Sequence, residues 1–388
     1  MILTEFEGKQ LLAAHQLQIP NGVLVSKATF QKDLKKCVAS LTFPVFVKAQ
    51  VLHGNRALDG LVQQTQDQSQ LEKTVSNLFA ETDSSGQAIT QVLVEEAVDF
   101  KQQHYLSLSY STRTRSLIVQ YTSEGGEGMD DRGSSLKTQS LSLLKEPTSF
   151  KLAPELLGTI KQLWNVFTKN DATLVEINPL VESGGVWYCL DAKIKLEDVA
   201  SYRHPEWSKY PDKSALGRPP TARELHAHQV SRSDHRGVAG ESFFEFPGGE
   251  VGVLAAGGGA SVLAMDALLA HGLKPANYTE HSGNPPREKV KALTDVILSI
   301  PDLKGLFVVG TNANFTDIFE TLSGVVDSLL ESELPNNFPV LFRRGGPRWQ
   351  EAFEMIDQRL PKTKFKIKTF GPDFPIVKTA AKMKELIK

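Results

Sequence analysis

The feature that most constrains the fold is an apolar run, Val251–Ala256, followed by three glycines and a helical pattern that ends at Gly272. This order predicts a strand, a tight turn and a helix whose first backbone N–H groups have no partner within the helix. Such groups are a general binding site for anions. The sequence therefore predicts a negatively charged ligand at this turn.

The same plan recurs twice downstream. The apolar run 306–309 leads into a polar turn at 310–316, and the run 339–342 leads into 343–347, each turn being followed by a predicted helix. The helix after the first of these turns has apolar residues at helical spacing: Ile318, Phe319, Leu322, Val325, Val326, Leu329 and Leu330. Right-handed crossovers would make the three strands parallel and bring the three turns to one edge of the sheet, where doubly wound folds bind ligands.

Two interpretations of these turns remain open. Glycine-rich turns between strand and helix are needed for close packing in any fold of this kind. A ligand pocket is favoured by the polar residues Asn314 and Thr316 and by the pair Arg343 and Arg344. Arginine offers a planar fork suited to carboxylate or phosphate, and strand alternation lets only one of two adjacent arginines face a given side.

Composition limits the classes of function. At 388 residues with 40% hydrophobic content, the chain can bury the cores of two or three domains. A net charge of −2 argues against nucleic acid or a membrane as the main partner. Cys37 and Cys189 provide no disulfide framework, and neither a signal peptide nor an 18-residue apolar span is found, so a cytoplasmic protein is expected.

The N-terminal region opens with a capping box, in which Thr4 and Glu7 start a helix that runs to about His15. Phe6, Leu11 and Leu12 are expected to form its inner face.

Residues 44–51 predict a buried strand interrupted by Lys48 and followed by a polar loop at 53–56. A lysine inside a strand needs an anionic partner, so Lys48 is either in a salt bridge or holds a ligand phosphate, and the residues alone favour the salt bridge. Three further strands are predicted at 91–96, 105–111 and 116–121, the last leading into a flexible acidic loop that ends at Gly126.

A more specific pattern lies between residues 172 and 191, where two strands flank the hairpin turn Gly184 and Gly185. With those glycines as the loop, Ser183 pairs with Val186, and counting back places residue 178 opposite residue 191.

The side chains at these two positions are Asn178 and Asp191, and Glu176 lies on the same face two residues away. Two carboxylates and an amide oxygen on one face suit Mg²⁺ with bound phosphates. The alternative is an Asn-Pro strand end with solvated acids.

Residues 201–249 are rich in Arg, His, Pro and Ser, and predict a connection over the surface between two domains. His226, His228 and His235 cluster there, but no cysteine or second type of ligand accompanies them, so surface histidines are favoured over a metal site.

With the hairpin and the three turns established, the chain resembles the nucleotide-binding β subunit of succinyl-CoA synthetase over nearly its full length. The matching segments are 175–181, 190–191 and 93–95. The resemblance implies an α/β fold with an N-terminal ATP-grasp domain at 1–245, including a linker at about 201–245, followed by a C-terminal flavodoxin-like parallel α/β domain at 246–388. It also implies ATP and Mg²⁺ as cofactors. The residues implied for nucleotide are Lys48, Asn55, Arg56, Glu95 and Gln103, those for metal are Asn178 and Asp191, and those for catalysis are Lys48, Glu176 and Arg344.

The last third is more similar to the citrate-activating branch, ATP-citrate lyase and citryl-CoA synthetase. The matching segments are 256–262, 276–283, 313–316 and 342–347. The resemblance implies citrate as the ligand of the three turns, which agrees with the expectation that a tricarboxylate needs several donor groups at once. The residues implied for citrate are Gly258, Gly259, Thr311, Ala313, Asn314, Phe315, Thr316 and Arg344.

The sequence departs from the family pattern in two places. Ala57 and Leu58 stand where the family has a Gly-Lys pair after its arginine, and Gln103 replaces a family glutamate. Both changes bear on the affinity for nucleotide or the choice between ATP and GTP, while the metal hairpin is intact.

The family mechanism passes a phosphoryl group from ATP to a histidine and then to a substrate carboxylate, after which CoA displaces phosphate. No histidine here lies in the Gly-His-Ala-Gly segment of that carrier. The resemblance therefore implies a hetero-oligomer, in which a larger partner subunit brings the phosphohistidine, the main CoA site and possible cleavage of citryl-CoA to acetyl-CoA and oxaloacetate. Two alternatives stay open, a succinyl-CoA synthetase β subunit and a non-catalytic citrate-sensing subunit.

Overall fold

The computed structural model describes residues 1–52, 56–83, 88–126, 136–210 and 220–388. The chain divides into two compact units, Met1–Pro219 and Pro220–Lys388. Both mix helices and sheets, as the sequence predicts. In the described part of the chain, no helix combines the length and apolar character needed to cross a membrane.

The helices and strands of the first unit are, in chain order, α1 (Glu5–Ala14), β1 (Gly22–Ser26), α2 (Phe30–Ser40), β2 (Val45–Ala49), β3 (Val62–Thr65), α3 (Gln68–Ala80), β4 (Gln91–Glu96), β5 (Gln103–Ser111), β6 (Ser116–Thr122), β7 (Lys137–Leu141), α4 (Leu157–Lys169), β8 (Ala172–Ser183), β9 (Val186–Cys189) and β10 (Lys193–Leu196). They form two antiparallel sheets. One has the strand order β1-β4-β2-β3, and the other has the order β10-β8-β5-β6-β7, with β9 paired to β8.

The strands predicted in this unit are confirmed. β4 has the predicted bounds, and β5 and β6 form the predicted hairpin around residues 112–115. The predicted hairpin register is confirmed as well: Ser183 pairs with Val186, and the same register resumes where Glu176 pairs with Lys193.

Helix α1 begins with the predicted capping box, but the prediction of its inner face is partly wrong. Its buried residues include Glu5 and Lys9, together with Leu11 and Leu12, whereas Phe6 is only half-buried. Two charged side chains thus face inwards, where an apolar stripe was expected, because each finds buried partners of opposite charge, described below.

The helices and strands of the second unit are, in chain order, α5 (Ala222–Arg232), β11 (Val238–Ala239), β12 (Phe244–Glu245), β13 (Val251–Ala256), α6 (Gly258–Ala270), β14 (Asn277–Tyr278), β15 (Glu280–Ser282), α7 (Arg287–Leu298), β16 (Gly305–Asn312), α8 (Ile318–Glu331), β17 (Phe338–Gly345), α9 (Trp349–Arg359), β18 (Phe365–Phe370) and α10 (Ile376–Ile387). Its main sheet has the order β11-β15-β13-β16-β17-β18. The five strands β15, β13, β16, β17 and β18 are parallel, and β11 is an antiparallel edge strand. The core on one face includes side chains of α6 and α10, and the core on the other includes side chains of α7, α8 and α9.

The prediction of a surface connection at 201–249 is wrong for its second half. Residues from 220 onwards pack with the second unit, where Ala227 and Val230 of α5 join the core together with Phe243. This stretch has few apolar residues, but Ala227, Val230 and Phe243 are all buried and therefore contribute to the core. His226 is exposed and His235 is 92% exposed.

Candidate functional site

The first unit contains a cavity of about 700 Å³ lined by residues of both sheets. That volume is within the range of small-molecule sites. The cavity brings together the predicted nucleotide, metal and catalytic residues of this unit that the structure describes: Lys48, Arg56, Glu95, Gln103, Glu176, Asn178 and Asp191. Asn55, also predicted to bind nucleotide, lies outside the described residues.

Lys48, on β2, is paired with two buried carboxylates. Its Nζ lies 3.0 Å from Oε1 of Glu5 and also contacts Oε1 of Glu95, and it donates a 2.6 Å hydrogen bond to the carbonyl of Leu190. The salt bridge that the residues alone favoured for Lys48 is therefore present. Since Lys48 also lines the cavity, a ligand phosphate could share it.

Two further cations complete this charge network. Arg56 bridges Glu5 and Asp191, with Nη1 at 2.7 Å from Oε2 of Glu5 and Nη2 at 2.8 Å from Oδ2 of Asp191. Lys9 lies 2.7 Å from Oε1 of Glu5 and 2.5 Å from Oε2 of Glu95. The network thus contains three cations and three carboxylates, and the carboxylate of Glu5 contacts all three cations.

The protonation behaviour of the network follows from this pairing. Burial alone would raise the pKa of Glu5, but Lys48, Lys9 and Arg56 hold it well below its usual value. Burial alone would lower the pKa of Lys48, but the carboxylates of Glu5 and Glu95 raise it. Burial alone would likewise lower the pKa of Arg56, but the carboxylates of Asp191 and Glu5 raise it. All three groups stay charged at neutral pH, so the cavity is lined by fixed charges.

The predicted metal residues lie where β8 and the segment after β9 face the cavity. Oδ1 of Asn178 accepts a 2.7 Å hydrogen bond from the backbone N–H of Gly126, so the acidic loop after β6 reaches the metal hairpin. Oδ1 of Asp191 accepts a 2.7 Å bond from the N–H of Ala192, and its other oxygen contacts Arg56. Glu176 lines the same cavity.

This donor set fits Mg²⁺. The side chains of Glu176, Asn178 and Asp191 supply only oxygen ligands, and a site with few protein oxygens is typical of Mg²⁺ that keeps substrate phosphates and water in its shell. The neighbouring Lys48 and Arg56 provide the positive charge that such phosphates require.

Both departures from the family pattern involve residues at or next to this cavity. Ala57 and Gln103 line the cavity, and Leu58 is 67% exposed. The side chain of Gln103 lies against Gly126, where an added methyl group would come within 2.2 Å of its Oε1. Gln103 is thus held beside the loop that contacts Asn178.

In the second unit, the loops after β15, β16 and β17 converge at the carboxyl edge of the sheet, and the last two are among the three turns that the sequence predicts to meet there. The loop between β16 and α8 is fixed to the loop after β15, because the hydroxyl of Thr316 donates to the carbonyl of Gly283. It is fixed to the loop after β17 by the N–H of Ala313, which donates a 2.9 Å bond to the carbonyl of Gly345.

The adjacent arginines of β17 face opposite sides of the sheet, as alternation requires. Arg343 is fully engaged with the backbone, since its guanidinium donates to the carbonyls of Phe374, Gly310 and Pro372 at 2.8, 2.5 and 2.5 Å. Arg344 is 1% exposed, and within the described ranges its Nε has no hydrogen-bond partner.

Arg344 also forms no ion pair within the described part of the chain. Burial, with a smaller effect from the charge of Arg343, lowers the pKa of Arg344 to about 10, so it is still cationic at neutral pH. Buried charges are costly without a partner. Arg344 is therefore a cation whose counter-ion the described residues do not supply.

The remaining residues predicted for citrate lie around this edge. Gly258 begins α6, and the carboxylate of Glu280 lies 3.0 Å from the position of a methyl group added there. Thr311, Asn314 and Phe315 are exposed, as is Gly259. Thr311 belongs to the end of β16 and Arg344 to β17, so the turns begin later than the sequence predicts.

Four residues of these sites are not predicted by the sequence patterns. Glu5 and Lys9 belong to helix α1, for which the sequence predicted only the capping box and an apolar inner face. Their i,i+4 spacing on one face with Leu12 was a usable signal of a buried ion pair. His281 and Gly310 were also missed. Both are at the carboxyl edge of the second unit, where strand register puts them in one row and Gly310 lies against Arg344.

Family models match segments of both units. Residues 2–132 match the family model of the ATP-grasp domain, and residues 224–383 match the family model described as the citrate-binding domain of ATP citrate lyase. The resemblance recognised in the sequence is thereby confirmed.

Full-length relatives come from both branches. The β subunit of the ADP-forming succinate–CoA ligase of Desulfurococcus amylolyticus is 28% identical over 375 residues, covering 92% of this chain and 93% of the relative. ATP-citrate synthase alpha chain protein 2 of Oryza sativa subsp. japonica is 29% identical, covering 96% and 95%.

Among solved structures, ATP citrate lyase from Methanothrix soehngenii, in complex with citrate and coenzyme A, superimposes with a TM-score of 0.77. The identity is 22%, and the match covers 99% of each chain. At this identity the likeness confirms the fold.

Proposed function

We propose that this chain, which joins an ATP-grasp domain to a citrate-binding domain of the ATP citrate lyase type, is a subunit of an ATP-dependent citrate-activating enzyme. ATP phosphorylates a histidine of a larger partner subunit, citrate takes up the phosphoryl group to form citryl phosphate, and the thiol of CoA displaces phosphate to give citryl-CoA. The partner carries the histidine and the main CoA site, and cleaves citryl-CoA to acetyl-CoA and oxaloacetate.

The observation that carries the citrate assignment is Arg344. A buried guanidinium to which the described part of the chain supplies no counter-ion, at the edge where three loops converge, is suited to a ligand carboxylate. Asn314 and Thr311 are exposed at the same edge and offer neutral donors for further carboxylates. Together these groups match a small polycarboxylate better than a neutral ligand.

The first unit would supply the nucleotide chemistry. Lys48 and Arg56 orient and neutralise the phosphates of ATP, and Glu95 lies in the same cavity for contact with the rest of the nucleotide. Mg²⁺ held by Asn178 and Asp191, with Glu176 beside them, would neutralise charge on the transferring phosphoryl group.

Replacing Lys48 by Met should weaken the binding of ATP in magnesium buffer at least tenfold, as measured by calorimetry, because a charged contact to phosphate is lost. The exposed Lys73 of α3, changed to Met, is the control.

A succinyl-CoA synthetase β subunit is the second candidate, and the succinate–CoA ligase relative favours it. Calorimetric titration of the purified full-length chain with citrate and, separately, with succinate distinguishes the two. Saturable binding of citrate that succinate cannot reproduce supports citrate activation. Binding of succinate without a preference for citrate supports the second candidate, and binding of neither acid contradicts the proposed citrate site.

A further inference from the structure

The carboxyl edge of the second unit contains a second buried polar group whose partner is missing. His281 is 2% exposed, and its Nδ1 has no hydrogen-bond partner among the residues that the structure describes. Buried polar atoms in folded proteins are nearly always hydrogen-bonded, so an orphaned one in a ligand site points to a group that the ligand supplies. Arg344 has the same property through its Nε.

Strand register places these two side chains on one face of the sheet. His281 of β15 pairs with Ala256 of β13, and Ala256 pairs with Gly310 of β16. On β17, Arg343 pairs with Val309; the register shifts between Val309 and Asn312, and the guanidinium of Arg344 lies against Gly310. His281 and Arg344 therefore lie at the two ends of a row that crosses four neighbouring strands, with two small residues between them.

The small residues make room for the guanidinium. A methyl group added at Gly310 would lie 1.8 Å from Nη1 of Arg344 and 2.7 Å from Cβ of Ala256. The guanidinium thus lies directly over Gly310, whose neighbour in the row is Ala256, the partner of His281. Residue 310 is glycine because any side chain there would displace Arg344.

We propose that His281 is a specificity-determining residue of the citrate site, which hydrogen-bonds the hydroxyl group of the ligand while Arg344 binds a neighbouring carboxylate. This inference rests on the proposed function. It assigns the preferred ligand to 2-hydroxy polycarboxylic acids, in which a hydroxyl and a carboxylate share one carbon. The two groups are adjacent in the ligand, so a ligand lying over the two small residues of the row can present one group to each side chain.

The electrostatic environment agrees with this assignment. Burial and, to a smaller degree, the positive charge of Arg344 lower the pKa of His281 to about 3, so the imidazole is neutral at physiological pH. A neutral imidazole has one donor and one acceptor, which matches a hydroxyl group. A site built to bond a hydroxyl strongly rejects an analogue that lacks it, because its own polar group is then left unpaired.

The test compares citrate with propane-1,2,3-tricarboxylate, which has the same three carboxylates and no hydroxyl. Both acids are titrated into the full-length wild-type chain, into His281→Phe and into His281→Asn. The wild type should prefer citrate by at least tenfold. His281→Phe should lose that preference by binding citrate more weakly and the analogue about as well as before. His281→Asn, which keeps a short polar group near the position of Nδ1, should retain much of it.

Controls separate recognition from damage to the fold. Binding of ATP by the first unit and the thermal midpoint report whether each variant is folded, and exposed His226, changed to Phe, reports the effect of the substitution itself. Equal weakening of both acids in His281→Phe would overturn the proposal, because a merely structural role predicts that result. A wild type that binds both acids equally would also overturn it while leaving the polycarboxylate site intact, whereas failure to bind either acid would contradict the proposed function itself.

Discussion

The two units treat buried cations in opposite ways. In the first, Lys9, Lys48 and Arg56 are neutralised by Glu5, Glu95 and Asp191 inside the chain. In the second, Arg344 is buried without a counter-ion among the described residues.

Under the proposed function, the contrast follows from the ligand of each site. A polyphosphate with its metal carries several charges of both signs, so a neutral network with fixed geometry can receive it with little change in net charge. A carboxylate carries one charge, and a single uncompensated guanidinium matches it. The first arrangement stabilises the empty fold, and the second costs stability until the ligand is bound.

The largest expected effect comes from breaking the neutral network at its centre. Glu5→Gln removes the carboxylate that contacts all three cations, and loss of one partner of a buried ion pair typically costs about 3–5 kcal/mol. Hydrogen exchange in β2 and β4 should show a loss of stability of this order. The control is Glu72→Gln on the exposed face of α3, and equal exchange in the two variants would mean that the network contributes little.

An effect of intermediate size is expected from pH in the second unit. Below pH 6.5 the unfolded chain protonates residue 281, whereas the folded chain resists until about pH 3, so stability falls as pH decreases through this interval. Between pH 7 and pH 5 the loss should be about 2 kcal/mol, from a shift worth 1.36 kcal/mol per pKa unit.

The check is hydrogen exchange in β16 and β17 at both values of pH. His281→Asn has no titrating group at this position, so its pH dependence should be smaller by that amount. An unchanged dependence in the variant would show that other groups cause the loss.

A smaller effect should come from moving Arg344 without removing it. Gly310→Ala should displace the guanidinium of Arg344 from its position over residue 310, since the added methyl group would overlap Nη1 of Arg344. Citrate binding should weaken about tenfold, or about 1.4 kcal/mol. Gly158→Ala, where the added group meets nothing within 4 Å, is the matched control, and equal citrate affinity in the two variants would contradict the placement of Arg344.

Local patterns were sufficient to predict much of the fold. The bounds of β4, the hairpin register around Gly184 and the three parallel strands of the second unit follow from periodicity and turn chemistry, and all are confirmed. The connection at 201–249 was misjudged because burial of a few residues such as Phe243 depends on tertiary contacts, which composition does not show.

The sites were predictable to a similar extent. The described residues that the sequence assigned to nucleotide and metal do line one cavity. The i,i+4 spacing of Glu5 and Lys9 was a local signal, but it did not place them in the site, because their other partners Lys48 and Glu95 lie 43 and 86 residues away along the chain. The row from His281 to Arg344 depends on strand order, which no local pattern specifies.

The most direct test of this contrast is to replace a buried cation of each unit by methionine and to measure stability with and without ligand. Arg344→Met should abolish the citrate-induced increase in the thermal midpoint and should itself stabilise the empty second unit by about 1 kcal/mol or more, since an uncompensated buried charge is removed. Lys48→Met should destabilise the first unit, because it leaves carboxylates unpaired. Destabilisation of the second unit by Arg344→Met, with the citrate effect preserved, would contradict the account.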